Sequence, residues 1–234
     1  MKYLKQNKLY CFSPPVMLAT FIIEIGLAAY TIWRYKLNSI TRLASAILIC
    51  LAAFQLAEFN VCEGAWGLNS AEWARLGYVA ITLLPPLGIH LIARLAGDVR
   101  RWPYLAAYLL GAGFSGFFLF ATNSIATEAC LGNYVIFEQS PGTMWAYALY
   151  YYGLLLAAIG YAARLAKTAT PRVKRSLQML IIGYALFMVP TTLVNSIDPS
   201  TIAGIPSIMC GFAVSLAFVL VFAVLPFARI KPRN

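Results

Sequence analysis

The chain has 234 residues, 61% of them hydrophobic and only 11% charged, with a formal net charge of +10. Ordinary soluble domains run near half apolar and a quarter charged. The composition therefore excludes a soluble globular domain, a disordered chain and a disulfide scaffold, and describes an integral membrane protein.

Seven apolar stretches, each about 20 residues, reach bilayer-crossing length. In chain order they are Pro14–Trp33, Leu43–Val61, Trp73–Leu95, Pro103–Ala121, Met144–Leu165, Ser176–Ile197 and Ile205–Leu225. Each is expected to be helical, because a span must satisfy its backbone internally. The predicted fold is an all-α integral membrane seven-helix bundle, one domain over 1–234. The longest gap, Thr122–Thr143, is too short for a further domain.

Charge placement predicts the orientation. Arg34, Lys36, Arg42, Arg94, Arg100, Arg101, Arg164, Lys167, Arg172, Lys174, Arg175, Arg229, Lys231 and Arg233 fall at one end, most of the 18 basic residues. Lys2, Lys5, Lys8 and Arg75 fall at the other, beside Glu63, Glu72, Glu128, Glu138 and Asp198. The N-terminus is expected outside and the C-terminus in the cytoplasm. The basic tail and first stretch resemble a signal peptide, but the Trp33-Arg34-Tyr35-Lys36 flank reads as a stop-transfer signal, so the stretch is kept as a span. The net charge then needs no nucleic acid. It reflects positive-inside bias, with anionic lipids as partners of the cytoplasmic rim.

The polar residues inside the spans are the candidate site. Glu24 lies mid-span and Glu58 one turn inside the outer end of the second span. A carboxylate facing hydrocarbon is costly, so both are expected to face the bundle interior or to be protonated. Gln55, Glu58 and Cys62 share a helix face. Two readings stay open: a polar pocket opening outward, or interhelical hydrogen bonding that holds the bundle together. Cys62 and Cys130 both fall on the oxidising side and are expected to pair, with Cys11 as a rival partner. Cys50 and Cys210 lie within spans as small packing residues.

Pro85 and Pro86 in the third span and Pro190 in the sixth predict kinks, static or hinge-like. Thr191 and Thr192 can satisfy freed carbonyls. His90, the one histidine, is expected to be a packing residue. A lone histidine excludes bis-histidine haem and a His-rich zinc site. No lysine in the seventh span is available for a retinal Schiff base. Gly113-Phe114-Ser115-Gly116 resembles the nucleophile motif of rhomboid proteases. Ser115 and His90, however, are expected about 10 Å apart in depth, so close packing through Gly111–Ser115 and Ala112–Gly116 is the preferred reading. Of Tyr150, Tyr151 and Tyr152, at least one must face inward.

The order of several marks resembles the seven-helix membrane sensor region at the N-terminus of certain bacterial histidine kinases. These are Trp33-Arg34-Tyr35, the Trp66-Gly67-Leu68 corner, the run Glu72 to Tyr78, the Leu84-Pro85-Pro86 kink and the polar end at Pro190–Asn195. The resemblance implies an outside N-terminus and a seventh helix leading to a cytoplasmic output domain. Here the sequence ends at Asn234 with no kinase, so either signalling is expected to need a separate partner or the chain is a fragment.

The expected function is a receptor-like sensor in the cell membrane, multi-pass and bacterial inner membrane in type. The absence of Asn-x-Ser/Thr sequons is consistent with that location. A small lipophilic ligand would enter from outside against Glu58, Gln55, Glu24, Tyr151 and Asn195, without cofactor, metal or catalysis. The alternative is a non-catalytic structural or accessory subunit of a membrane complex. A transporter is disfavoured because no repeat with paired broken helices is evident.

Overall fold

The computed structural model of the protein describes residues 13–64, 66–121, 124–125, 127–130 and 135–228, with side chains for all of these except 127–129. Cys11, Lys2, Lys5, Lys8, Arg229, Lys231 and Arg233 lie outside the described residues. Among the described residues, seven helical spans are long and apolar enough to cross a membrane.

The first span is α1, Pro14–Arg34. Prolines suit its first turn, whose N–H groups have no helical partner anyway. The second is α2, Ser39–Glu63, begun by a capping box. Asn38 accepts from the Thr41 backbone while the Thr41 hydroxyl receives the Asn38 N–H, and Gly64 at φ 65° closes the far end. These caps extend the helix beyond the predicted Leu43–Val61, because polar residues that look like loop serve as helix ends. The third span is two helices, α3 (Ser70–Thr82) and α4 (Leu84–Ala96), broken at Leu83 before Pro85 and Pro86. Gly97 at φ 71° caps α4. Then follow α5 (Trp102–Phe120), α6 (Pro141–Ala166) and α7 (Pro171–Ile197). The seventh span is a 3-10 turn at Pro199–Gly204, α8 (Ile205–Val219), a π-turn at Leu220–Val224 and a 3-10 turn at Leu225–Phe227.

Two expectations need correction. The loop between the fourth and fifth spans carries an antiparallel hairpin of β1 (Thr127–Cys130) and β2 (Val135–Glu138), so the protein is not wholly α-helical. In β2, Val135 and Phe137 are buried and Glu138 is exposed. This is the period-2 alternation of a strand packed on one face. The small residues of α5 also do not form the predicted pairs. Ala112 is exposed, and a Cβ added at Gly113 or Gly116 would meet nothing within 4 Å. Gly111 does pack closely: its Cβ would lie 3.0 Å from the Tyr150 hydroxyl and 3.4 Å from Pro86.

Packing follows enclosure. The second and third spans are the most enclosed, and α5 the least. Leu109, Leu149 and Phe222 are exposed on the outer surface, where lipid replaces the missing protein contact. Trp33 and Trp102 at the basic end, and Trp66 and Trp145 at the hairpin end, are exposed near span ends, as an interfacial aromatic belt requires. Close approach of α4 and α7 depends on Gly88, since a Cβ there would overlap the Tyr184 hydroxyl.

Candidate functional site

The antiparallel spans bring Glu63, the hairpin, Pro141 and the Pro199–Gly204 turn to one end of the bundle. Beneath the hairpin lies a cavity of about 470 Å³. This volume lies within the usual range of ligand pockets, about 300–1,000 Å³. Its walls come from α3, α6, α7 and the start of the seventh span, with Phe137 from β2 and Gln139 just after it. Tyr151 and Asn195 line it, as does half-buried Tyr152. Trp145 and Leu156 also line it, yet they are 67% and 60% exposed on the outer surface. The cavity is therefore open along the α6 face that carries Trp145 and Leu156.

Its rigid wall is an aromatic cluster. Tyr78 packs on Phe118 at 4.7 Å and edge-on to Phe137 at 5.4 Å between centroids. Tyr147 meets Phe118 edge-on at 5.1 Å, and Phe114 lies 4.7 Å from Tyr150. Such pairs stabilise beyond their buried area. Two of the hydroxyls reach the proline break. Tyr147 hydrogen-bonds the Thr82 hydroxyl at 3.0 Å, and Tyr150 donates to the Thr82 carbonyl at 2.6 Å.

The hairpin over the cavity is tied on both strands. A Cys62–Cys130 disulfide joins α2 to β1, with Cα atoms 5.7 Å apart. The Val135 N–H of β2 donates to the Ser207 hydroxyl of α8 at 3.2 Å. The Ser207 hydroxyl also lies beside the Glu58 carboxyl.

Glu24, Gln55 and Glu58 do not line the cavity, contrary to the single pocket expected from the sequence. They are 0%, 2% and 2% exposed. Glu24 and Glu58 lie within electrostatic reach of each other and of Cys210, whose side chain also forms part of the cavity wall. Both Glu24 carboxyl oxygens, Glu58 Oε1 and Gln55 Nε2 are buried without a hydrogen-bond partner. The polar residues thus divide in two, a carboxyl cluster among spans one, two and seven and a ligand-sized cavity beside it. Asn195 Oδ1 accepts from the Thr201 hydroxyl at 3.3 Å, which fixes its amide at the cavity rim.

The kinks differ from each other. Pro85 and Pro86 break the third span, whereas α7 runs unbroken through Pro190. The Thr191 and Thr192 hydroxyls donate to the carbonyls of Phe187 and Met188. The carbonyl freed by Pro190 is that of Leu186, so these threonines do not fill the role predicted for them.

His90 stacks on Tyr104 at 4.2 Å, its Nε2 accepts from Arg94 at 3.2 Å, and Nδ1 meets the Tyr108 hydroxyl at 3.3 Å. An accepting Nε2 places the ring proton on Nδ1. Both nitrogens are engaged at the basic end, away from Ser115. Among the described residues no group of three or more His, Cys, Asp or Glu is placed to hold a metal.

Phe137, Gln139, Tyr78, Tyr147 and Met209 line the cavity but were not singled out by sequence. The short apolar run Val135-Ile136-Phe137, rich in β-branched and aromatic residues, was the available signal for the first of them.

The fold is that of a multi-pass seven-span membrane module. The chain belongs to the family described as the N-terminal 7TM region of histidine kinase, whose model matches residues 16–227. A search of curated proteins finds no match.

Proposed function

We propose that the protein is a receptor-like sensor that binds a small lipophilic ligand in the cavity beneath the hairpin and passes the occupancy to a separate protein partner. The observation that carries this reading is an aromatic, ligand-sized cavity open along the α6 face that carries Trp145 and Leu156. Tyr151 and Asn195 contact the ligand, while Glu24, Gln55 and Glu58 hold the neighbouring helices. No catalysis or cofactor is invoked.

The hairpin end faces outward, the C-terminus lies in the cytoplasm, and the membrane is a bacterial inner membrane. The disulfide at one end and the basic residues at the other support this orientation. Anionic lipids cover the basic rim.

The signal travels along α7 and the seventh span, which both border the cavity. At the basic end Ser176 donates to the Val224 carbonyl at 3.0 Å and Arg172 to the Pro226 carbonyl at 3.0 Å, and Arg175 lies 4.4 Å over the Phe227 ring. A shift of α7 against ligand is thereby coupled to the end of the seventh span.

The carboxyl cluster favours a second reading, an accessory subunit in which buried polar groups serve only as glue. Native purification and mass spectrometry separate the two. A retained apolar molecule, absent from a cavity-filling Ala148→Trp variant, supports sensing. An empty wild-type cavity with a stoichiometric membrane partner supports the subunit. A reporter fused after Asn234 that is active only outside would sink the proposed orientation.

A further inference from the structure

We infer that the ligand is an uncharged amphiphile, with one long apolar chain and a hydrogen-bond-donating head such as a hydroxyl or amide. The inference rests on the sensor reading of the cavity and specifies the chemistry it accepts.

Three observations lead to it. First, no charged side chain lines the cavity among the described residues. A carboxylate or ammonium head would be stripped of water with no opposite charge in contact with it, which is strongly unfavourable. Second, the hairpin end presents unmet polar capacity. Gln139 lines the cavity together with Tyr78, and its Oε1 is buried without a partner. This acceptor, at the cavity wall, asks for a donor. Asn195 spends its own acceptor on Thr201, so its amide N–H groups are what it offers a ligand oxygen. One hydroxyl or amide group satisfies both, donating to Gln139 and accepting from Asn195.

Third, the remaining wall is predominantly apolar, with Thr192 and several tyrosines among its side chains. Along α6 it runs from Met144 to Leu156, roughly 18 Å at the helical rise. Met188 and Met209 on the facing wall adapt to chain shape. The exposed rim at Trp145 and Leu156 lets such a molecule pass in from the bilayer without crossing water.

The test uses the full chain in lipid nanodiscs with four probes of equal chain length: dodecan-1-ol, dodecane, dodecanoate and dodecyltrimethylammonium. Bound probe is counted by native mass spectrometry, and thermal melting with an intact disulfide checks the fold of each variant. The alcohol should bind at least roughly tenfold tighter than either ion. Gln139→Leu should weaken the alcohol roughly fivefold, the worth of one net hydrogen bond, and leave dodecane unchanged. Preference for either ion overturns the inference, as does a folded Gln139→Leu protein with undiminished alcohol binding. A wild-type protein that binds none of the four, or a folded Ala148→Trp variant that binds them as well as wild type, overturns the sensing cavity itself.

Discussion

The Tyr150 hydroxyl donates to the Thr82 carbonyl at 2.6 Å, and this bond repairs the gap that Pro86 opens in the third span. A helical residue at position 86 would give its N–H to the carbonyl four residues back, and proline has none. Tyr150→Phe leaves that carbonyl unpaired and should lower stability by about 1–2 kcal/mol, between the penalty for a buried orphan and the smaller values typical of membranes. Gly111→Ala should act through the same bond, because its Cβ would lie 3.0 Å from the Tyr150 hydroxyl. Thermal unfolding of the two single variants and the double variant checks this. Fully additive losses would place the two effects in separate interactions.

Reduction of Cys62–Cys130 should loosen the cavity roof before it loosens the bundle. The bridge spans a sequence separation of 68 residues, and in the chain-entropy model such a closure contributes about 4 kcal/mol, with real bridges often giving less. Cys62→Ser should lower the melting temperature and speed proteolysis within the hairpin loop while the spans stay helical by circular dichroism. Equal melting with and without reductant would show that the hairpin is held without the bridge, by the Val135–Ser207 bond and the packing of Phe137 on Tyr78.

Glu58 places the carboxyl cluster beside Ser207, which holds the hairpin. Glu58→Gln keeps an oxygen that can accept from the Ser207 hydroxyl, so stability should change by less than about 1 kcal/mol. Ligand content should be unchanged, since Glu58 does not line the cavity. Glu58→Leu removes the acceptor and should cost more, with β2 losing order against α8. Loss of ligand from a stable Glu58→Gln protein would make the carboxylate part of the binding site.

Asp98, in the link between α4 and α5, gives the basic end a pH dependence. The Arg100 backbone N–H at 2.9 Å, the Tyr161 hydroxyl at 2.8 Å and the charges of Arg100 and Arg164 hold its carboxyl below the ordinary range, outweighing some desolvation. A lowered folded value means the contribution is complete above the unfolded carboxylate pKa and disappears as pH falls through the folded one. Melting temperatures of wild type and Asp98→Asn should therefore differ near neutral pH and converge in acid. The difference should be modest, because the group is partly exposed and its partners lie at the bundle rim. A gap that widens on acidification would contradict the assignment.

The spans, their helicity and the basic end were all legible in the amino-acid order. Bilayer thickness demands long apolar runs, and lipid forbids unpaired backbone. Proline positions announced the break at Leu83. The cysteine pair was readable because Cys62 ends the second span on the side of the long loop that carries Cys130. The division between the carboxyl cluster and the cavity was decided only by tertiary packing. Glu58 and Tyr151 both face inward, and periodicity along a single helix does not say which neighbours enclose each one. Ser207 turns toward Glu58 and Val135 because α8 lies against α2. The cavity itself is a gap among α3, α6, α7 and α8 under a strand more than 50 residues removed in sequence from its nearest α3 wall residue. A void is a property of several surfaces at once, so no single stretch of sequence encodes it.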